Sequence, residues 1–492
     1  MTTRQITLKY SSLITIIFWI ANMYSVGVLS FQSPKYLIIL ALLVVPTIFI
    51  LTASIIKLIG IKKFDSDTHF KLMYNFIQLL NNKPTVDIFL PICGESDEVV
   101  QKTWLAVKAL NYPNISVHVL DDKKELSKKI LATEFGFNYI TRSNGEFKKA
   151  GNLRNAFTQT KGEYILILDA DFRPEPNFLL HTLPYLIQNP KLGIVQTPQA
   201  FDYKNAKGLE QGAGNIQDFF YSIVQPARDS FGGAICVGTN AVYRRSALET
   251  IGGNVLIEHS EDVWTGFALL KAGYNLKYIP LNLSYGDCPD NPYAYFKQQT
   301  RWAQGSSSLI SSQFFWSAKL SIMQRLSYIS GFMFYVYSAL VLLFPLATFI
   351  NQGQDSQLLI GVGVYGISSM LITKFLIYKD SNINTVVAHC LATWSYTWAL
   401  FNKFILQKNE TWQPTGSAKG KKSRGYTITM TSMFIYTALI FGFAVYITTQ
   451  QVPLIFIAYS YLNAFVHLTT VGYLLKGLKV TLPIQNTKTI VN

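Results

Sequence analysis

Charge is scarce in this chain. Asp, Glu, Lys and Arg make up 14% of its 492 residues, against roughly 25% in an ordinary soluble domain. A disordered or collagen-like chain is excluded by the 49% of apolar residues, and the charge deficit points to long stretches that never meet water. Cysteine is scarcer still. Cys93, Cys236, Cys288 and Cys390 lie far apart, without C-x-x-C pairing or a histidine at zinc-site spacing. A disulfide scaffold is therefore excluded, and the thiols read as reduced and mostly structural. No G-x-G-x-x-G and no Walker loop follows the first candidate strand, which runs instead into Cys93-Gly94-Glu95-Ser96. That sets aside dinucleotide dehydrogenases and P-loop enzymes.

What the chain has in quantity is apolar and aromatic side chain, with 14% Phe, Trp and Tyr and a mean hydropathy of +0.22. No charge falls in 10–34 or in 36–56, and each run is long enough to cross a hydrocarbon core that takes about 20 apolar residues. They read as a retained membrane hairpin, because a second span follows at once and no small-residue cleavage site is evident. Charge-free runs return at 326–354, 356–373, 381–402 and 425–475, the last divided near 450–453. Segment 381–402 also carries Asn384, His389, Thr393, Ser395 and Thr397. If it lies flat on the membrane, nearly all Lys and Arg fall on one side, as the positive-inside rule requires. The expectation is six spans with both termini cytoplasmic. The 43 Lys and Arg against 28 Asp and Glu then follow from topology and attraction to anionic lipid, without nucleic acid.

Between 86 and about 305, short apolar runs alternate with amphipathic ones. VDIFLPI, ISVHVLD, FNYIT, YILILDA and LGIVQTP read as strands, and 96–110, 123–135, 149–160 and 174–188 as helices. Such alternation predicts a mainly parallel, doubly wound sheet, with ligands at the carboxyl ends of its strands. Acids stand at those ends: Asp121-Asp122 after the second strand and Asp169-Ala170-Asp171 after the fourth. A D-x-D pair can hold a divalent ion against a diphosphate, although the same tripeptide also serves as a turn or helix cap. Lys149-Ala150-Gly151-Asn152 opens a helix where a cation and free amides suit an anion. Ser260-Glu261-Asp262 offers either a helix cap or an acid able to accept a hydroxyl proton. Gln298-Gln299-Thr300-Arg301-Trp302 joins an amide, a forked guanidinium and an aromatic face just before the membrane runs return. That set suits a diphosphate and a sugar ring, or an interfacial anchor.

In this order, and with Val237-Gly238-Thr239 between them, these motifs resemble those of processive family 2 glycosyltransferases, especially bacterial cellulose synthases; chitin and hyaluronan synthases are more distant. The resemblance implies an α/β GT-A (Rossmann-like) cytosolic domain inserted in an α-helical transmembrane domain. It implies a UDP-sugar donor contacted by Asp121, Asp122, Lys149, Asp169, Thr239, Glu261, Gln298 and Arg301. Asp171, with Asp169, would carry Mg2+ or Mn2+, Asp262 would act as general base, and Trp302 would support the growing polysaccharide acceptor. Three departures stand out. Val237 replaces the usual Cys, Lys123-Lys124 follow the Asp pair, and the loop Glu410 to Lys421 matches a gating loop in placement but not in motif.

The expected division is a membrane hairpin at 1–60, a cytosolic linker at 61–85, the GT-A domain at 86–309 and interfacial and transmembrane helices at 310–405. A gating-type loop at 406–426, a second hairpin at 427–476 and a cytosolic tail at 477–492 complete it. The run after Leu475 is too short for a cyclic-di-GMP-binding domain, so none is expected. The function expected is a multi-pass plasma-membrane enzyme, its catalytic domain cytoplasmic, that polymerises UDP-glucose into a β-glucan such as cellulose or a capsular or exopolysaccharide glucan. The alternatives are single-sugar transfer to a membrane lipid, or an inactive polysaccharide-conducting protein.

Overall fold

The computed structural model describes residues 1–32, 35–78, 83–203, 206–343, 382–408 and 422–480. The candidate span 356–373, the part of 326–354 beyond Leu343, 409–421 of the gating-type loop and 481–492 of the expected tail lie outside the described residues.

Among the described residues, ten strands form two sheets. They are β1 (Val86–Ile92), β2 (Ile115–Asp121), β3 (Asn138–Ile140), β4 (Tyr164–Ile167), β5 (Arg173–Pro174), β6 (Leu192–Gln196), β7 (Ala200–Phe201), β8 (Ala241–Arg244), β9 (Asn275–Tyr278) and β10 (Ser284–Gly286). The main sheet has the order β3-β2-β1-β4-β8-β6-β9, and β5-β10-β7 form a small second one. All five strands read from the sequence are present. The expectation of a mainly parallel sheet needs one correction: β8 is antiparallel to both β4 and β6. Its four residues enter the middle of the sheet from the 237–240 turn, with no crossover helix between that turn and the strand, and so short a run carries no periodic signal.

Alternation along β1 assigns the two faces. Ile88, Leu90 and Ile92 join Trp104, Val107, Leu183 and Leu186 on one side, and Phe89 joins Leu153, Ala156, Ile165 and Ile167 on the other. Asp87, next to Ile88, is buried but compensated. Burial works to raise its carboxyl, but the His118 ring, the Gly162 N–H at 2.7 Å and the Arg245 guanidinium at 2.8 Å together hold it below the usual range.

The chain enters through two long helices, Thr3–Gln32 and Lys35–Gly60, packed on each other. The expected linker includes a helix, Ser66–Gln78, pinned to the domain by His69, whose ring meets the Tyr185 hydroxyl and His181 at 2.8 Å each. Among the described residues two helices are long and apolar enough to cross a membrane, Arg424–Ile447 and Leu454–Lys476. The break between them falls where Gln450 to Pro453 was read.

The helix Ile383–Leu400 accounts for its polar residues by protein packing. Only Ile383 in it is exposed, and its neighbours are the helices Leu209–Phe219, Pro292–Ile310, Ile322–Val341 and Leu454–Val480. The Tyr396 hydroxyl donates to Gln299 Oε1 at 2.6 Å, and Asn215 Nδ2 donates to Thr385 Oγ1 at 3.1 Å.

Candidate active site

Backbone strain gathers at one end of the main sheet. Among the described residues six non-glycine ones have positive φ, and five of them flank the sequence-derived motifs: Lys124, Phe147, Lys148, Asn240 and Ser260, at 47° to 58°. Each such conformation costs on the order of 1–3 kcal/mol and persists only where surrounding contacts enforce it. Lys124 follows Asp121-Asp122, Phe147 and Lys148 precede Lys149, Asn240 follows Thr239, and Ser260 precedes Glu261-Asp262.

The first acid pair is engaged within the chain. Asp121, fully buried at the end of β2, accepts the Lys123 and Glu125 N–H groups at 2.8 Å and the Tyr139 hydroxyl at 2.7 Å. Asp122 takes both prongs of Arg142, at 2.7 and 2.8 Å. The same guanidinium donates to the carbonyls of Glu146 at 2.5 Å and Lys148 at 2.7 Å. It thereby ties Asp122 to the strained turn in front of Lys149. These contacts organise loops, a role that the expectation of direct donor contacts did not include.

The second group converges. Lys149, on the helix Lys148–Gln159, donates to Asp169 Oδ1 at 2.5 Å and to the Gly238 carbonyl at 3.0 Å, and lies 3.8 Å from Glu261. Burial disfavours its charge, but Asp169, Glu261 and Asp262 more than reverse this and raise its pKa above the usual lysine value. The Asp169 N–H donates to Thr239 Oγ1 at 2.8 Å. Gly238 has φ +79°, and a Cβ there would stand 2.8 Å from Asp262 Oδ2, so only glycine lets the Asp262 carboxylate lie against this turn. Asp262 accepts the Val263 N–H at 2.8 Å. Burial first and Glu261 second push its carboxyl up to about 7, against the opposing pull of Lys149.

The helix Pro292–Ile310 carries Gln298, Arg301 and Trp302. It starts cleanly, with Pro292 in the first turn and Asn291 Oδ1 accepting the Ala294 N–H at 2.9 Å. Gln298 Oε1 accepts from Gln299 Nε2 at 3.2 Å. Among the described residues Arg301 has no hydrogen-bond or ion-pair partner and Trp302 no aromatic one, so both are free to meet a ligand. Gly305, one turn on, fixes where this helix meets the Asp262 helix: a Cβ there would fall 1.7 Å from Ser260 Oγ. Gly305→Ala should cost about 1–3 kcal/mol through overpacking, because the added methyl forces the two helices to shift against each other at Ser260. A melting curve of the variant beside the wild type checks this, and equal midpoints would show that the contact is slack.

Among the described residues no three Asp, Glu, His or Cys side chains are arranged to hold a metal alone. Asp169 and Asp171 still fit a hard divalent ion that takes its other ligands from phosphate and water. Burial, then Asp169, pushes the Asp171 carboxyl up to about 7, with Asp287 and Glu95 adding to it, and a cation between the two acids would relieve this. Motif reading passed over Glu95, Tyr139 and Arg142. Glu95 could have been suspected, since it follows β1 at the same sheet edge; burial raises its carboxyl, and it accepts the Cys93 N–H at 2.6 Å.

This architecture, a mixed sheet with a lysine-linked acid pair at the strand ends and a second acid at a helix start, defines a GT-A-like glycosyltransferase. The chain belongs to glycosyl transferase family group 2, whose family model matches residues 164–465. It is 31% identical over 301 residues to the cellulose synthase catalytic subunit (UDP-forming) of Pseudomonas fluorescens SBW25, covering 60% of this chain and 40% of that protein. It is 34% identical over 286 residues to cellulose synthase 1 of Komagataeibacter xylinus, covering 55% of this chain and 18% of that protein. The chain thus spans two fifths or less of the length of these two relatives. Among solved structures, a mannosyltransferase from Pyrobaculum calidifontis in complex with GDP-Man and Mn2+ shares the fold, with a TM-score of 0.50 and 16% identity over 74% of this chain and all of that one.

Proposed function

We propose that the chain is a processive, inverting β-glycosyltransferase of the plasma membrane, which extends a polysaccharide from a UDP-sugar and passes the polymer outward between its own spans. The donor is UDP-glucose and the product a β-glucan. The observation that carries this reading is the grouping of Lys149, Asp169 and Glu261 with Asp262 around the Gly238 turn, against the helix that presents Arg301 and Trp302. The cellulose synthase relatives support the donor and product. Six spans with segment 381–402 at the interface, both termini and the catalytic domain cytoplasmic, and the domain limits set out above belong to the same proposal.

In the reaction Asp262 takes the proton from an acceptor hydroxyl while that oxygen attacks the anomeric carbon. The new glycosidic bond forms as the bond to the diphosphate breaks, and the UDP oxygen keeps the bonding electrons. An α-linked donor thus gives a β linkage in one displacement. Lys149, Gln298 and Arg301 bind the diphosphate and stabilise its growing charge, Thr239 and Glu261 fix the surroundings of Asp262 and Lys149, and Asp121 and Asp122 shape the uridine side. Trp302 gives the acceptor ring a flat face. Asp171 and Asp169 would hold Mg2+ or Mn2+, which when bound neutralises charge on the leaving diphosphate.

The test is full-length chain in lipid nanodiscs with radiolabelled UDP-glucose and Mg2+ or Mn2+. Long β-linked polymer and stoichiometric UDP are expected. A single glycolipid product would overturn processivity, and absence of UDP release with every UDP-sugar tried would overturn transfer itself.

A further inference from the structure

Beside the site lies a cavity of about 260 Å³, lined among others by Phe147, Glu258, His259, Gln304, Ser308 and Lys403. Gln304 sits one turn beyond Arg301 on the same helix face. It is 2% exposed, yet neither Nε2 nor Oε1 of its amide has a partner. A buried amide left unmatched is costly, so native structures rarely keep one without a ligand, an ion or water to satisfy it. Its backbone is held in place: Lys403 Nζ donates to the Gln304 carbonyl at 3.3 Å. Ser308 is fixed too, since its hydroxyl donates to the Gly305 carbonyl at 2.6 Å and accepts from Trp264 Nε1 at 3.0 Å.

The lining selects the ligand class. Glu258 opposes an anion and Lys403 opposes a cation, so a neutral molecule is favoured. An apolar molecule would leave the Gln304 donor and acceptor buried and unmatched. What remains is a small neutral polyol with alternating donors and acceptors and a C–H face for the Phe147 ring. The volume lies below the roughly 300 Å³ where drug-sized pockets begin, which suits a single sugar ring.

We propose that this cavity binds one neutral monosaccharide unit, the Gln304 amide bridging two neighbouring hydroxyls and Glu258 accepting from a third. The site is separate from the diphosphate contacts: it opens among residues two before Lys149, one to two before Ser260 and two after Trp302. Its ligand class follows from the lining alone; its service to polymer synthesis rests on the function proposed above.

Equilibrium dialysis of full-length chain in nanodiscs against radiolabelled glucose, without nucleotide, tests the site. Saturable binding is expected in the wild type, with at least about tenfold weaker binding in Gln304→Leu, the loss of two ligand hydrogen bonds to a buried amide, and unchanged UDP binding. No saturable glucose binding by wild type, or equal affinity in Gln304→Leu, overturns the proposal. If that variant also loses UDP binding, it is misfolded, and Glu258→Gln decides instead: several-fold weaker glucose binding supports the site and unchanged affinity overturns it. Wild type that binds glucose but not UDP would sink the functional reading while leaving this site standing.

Discussion

Replacing Asp262 by Asn should reduce sugar transfer by about 10²- to 10⁴-fold, the contribution of a positioned base, while UDP binding stays close to wild type. The amide keeps the shape and still accepts the Val263 N–H, but it cannot take a proton. Retained polymer synthesis would remove Asp262 from the mechanism. The pH dependence adds an independent signature. A base must be ionised to act, and burial with Glu261 beside it pushes the Asp262 carboxyl up to about 7. The kcat/KM of the free enzyme should therefore fall as pH drops through about 7. Glu261→Gln removes a neighbouring negative charge, so ionising Asp262 becomes easier and the acid limb should move to lower pH. A limb that stays in place, or moves up, would show that another group sets it.

The largest loss of stability is expected from Arg142→Ala. The guanidinium is buried and serves three partners: the Asp122 carboxylate and the carbonyls of Glu146 and Lys148. Its removal strands a largely buried carboxylate and releases the turn that holds Phe147 and Lys148 at positive φ. Breaking one side of a buried pair typically costs about 3–5 kcal/mol. Arg142→Lys should recover part of this, because an ammonium supplies charge without the two-pronged geometry. Thermal unfolding of the three proteins under one condition decides the point, and equal midpoints would mean that the clamp is idle. Activity should fall further than stability alone explains, since the freed turn leads directly into Lys149.

Particular residues show where sequence reading reached and where it stopped. Strands β1, β2 and β6 were legible because continuous apolar runs bounded by turns are local signals. The acids at strand ends were legible because the carboxyl edge of such a sheet is where ligands bind. The four residues of β8 were not, and their antiparallel entry turns a nearly parallel sheet into a mixed one. Asp121 and Asp122 were legible as strand-end acids, but their partners within the chain were not: Tyr139 and Arg142 lie 18 and 20 residues downstream and carry no motif. Gln304 looked like one more residue in a polar helix, and only the burial of its amide distinguishes it.

By itself the sequence determined that long charge-free apolar runs flank an α/β unit, both of which follow from side-chain type and spacing along the chain. The order of its acids and lysine was legible as a resemblance to family 2. Only the tertiary structure decided which acid pairs with Lys149, which acids also hold loops, and that the carboxyls of Asp171 and Asp262 are pushed up to about 7. The reason is physical: hydrogen bonds and desolvation act over a few ångströms, and those distances are set by the packing of segments far apart in the chain.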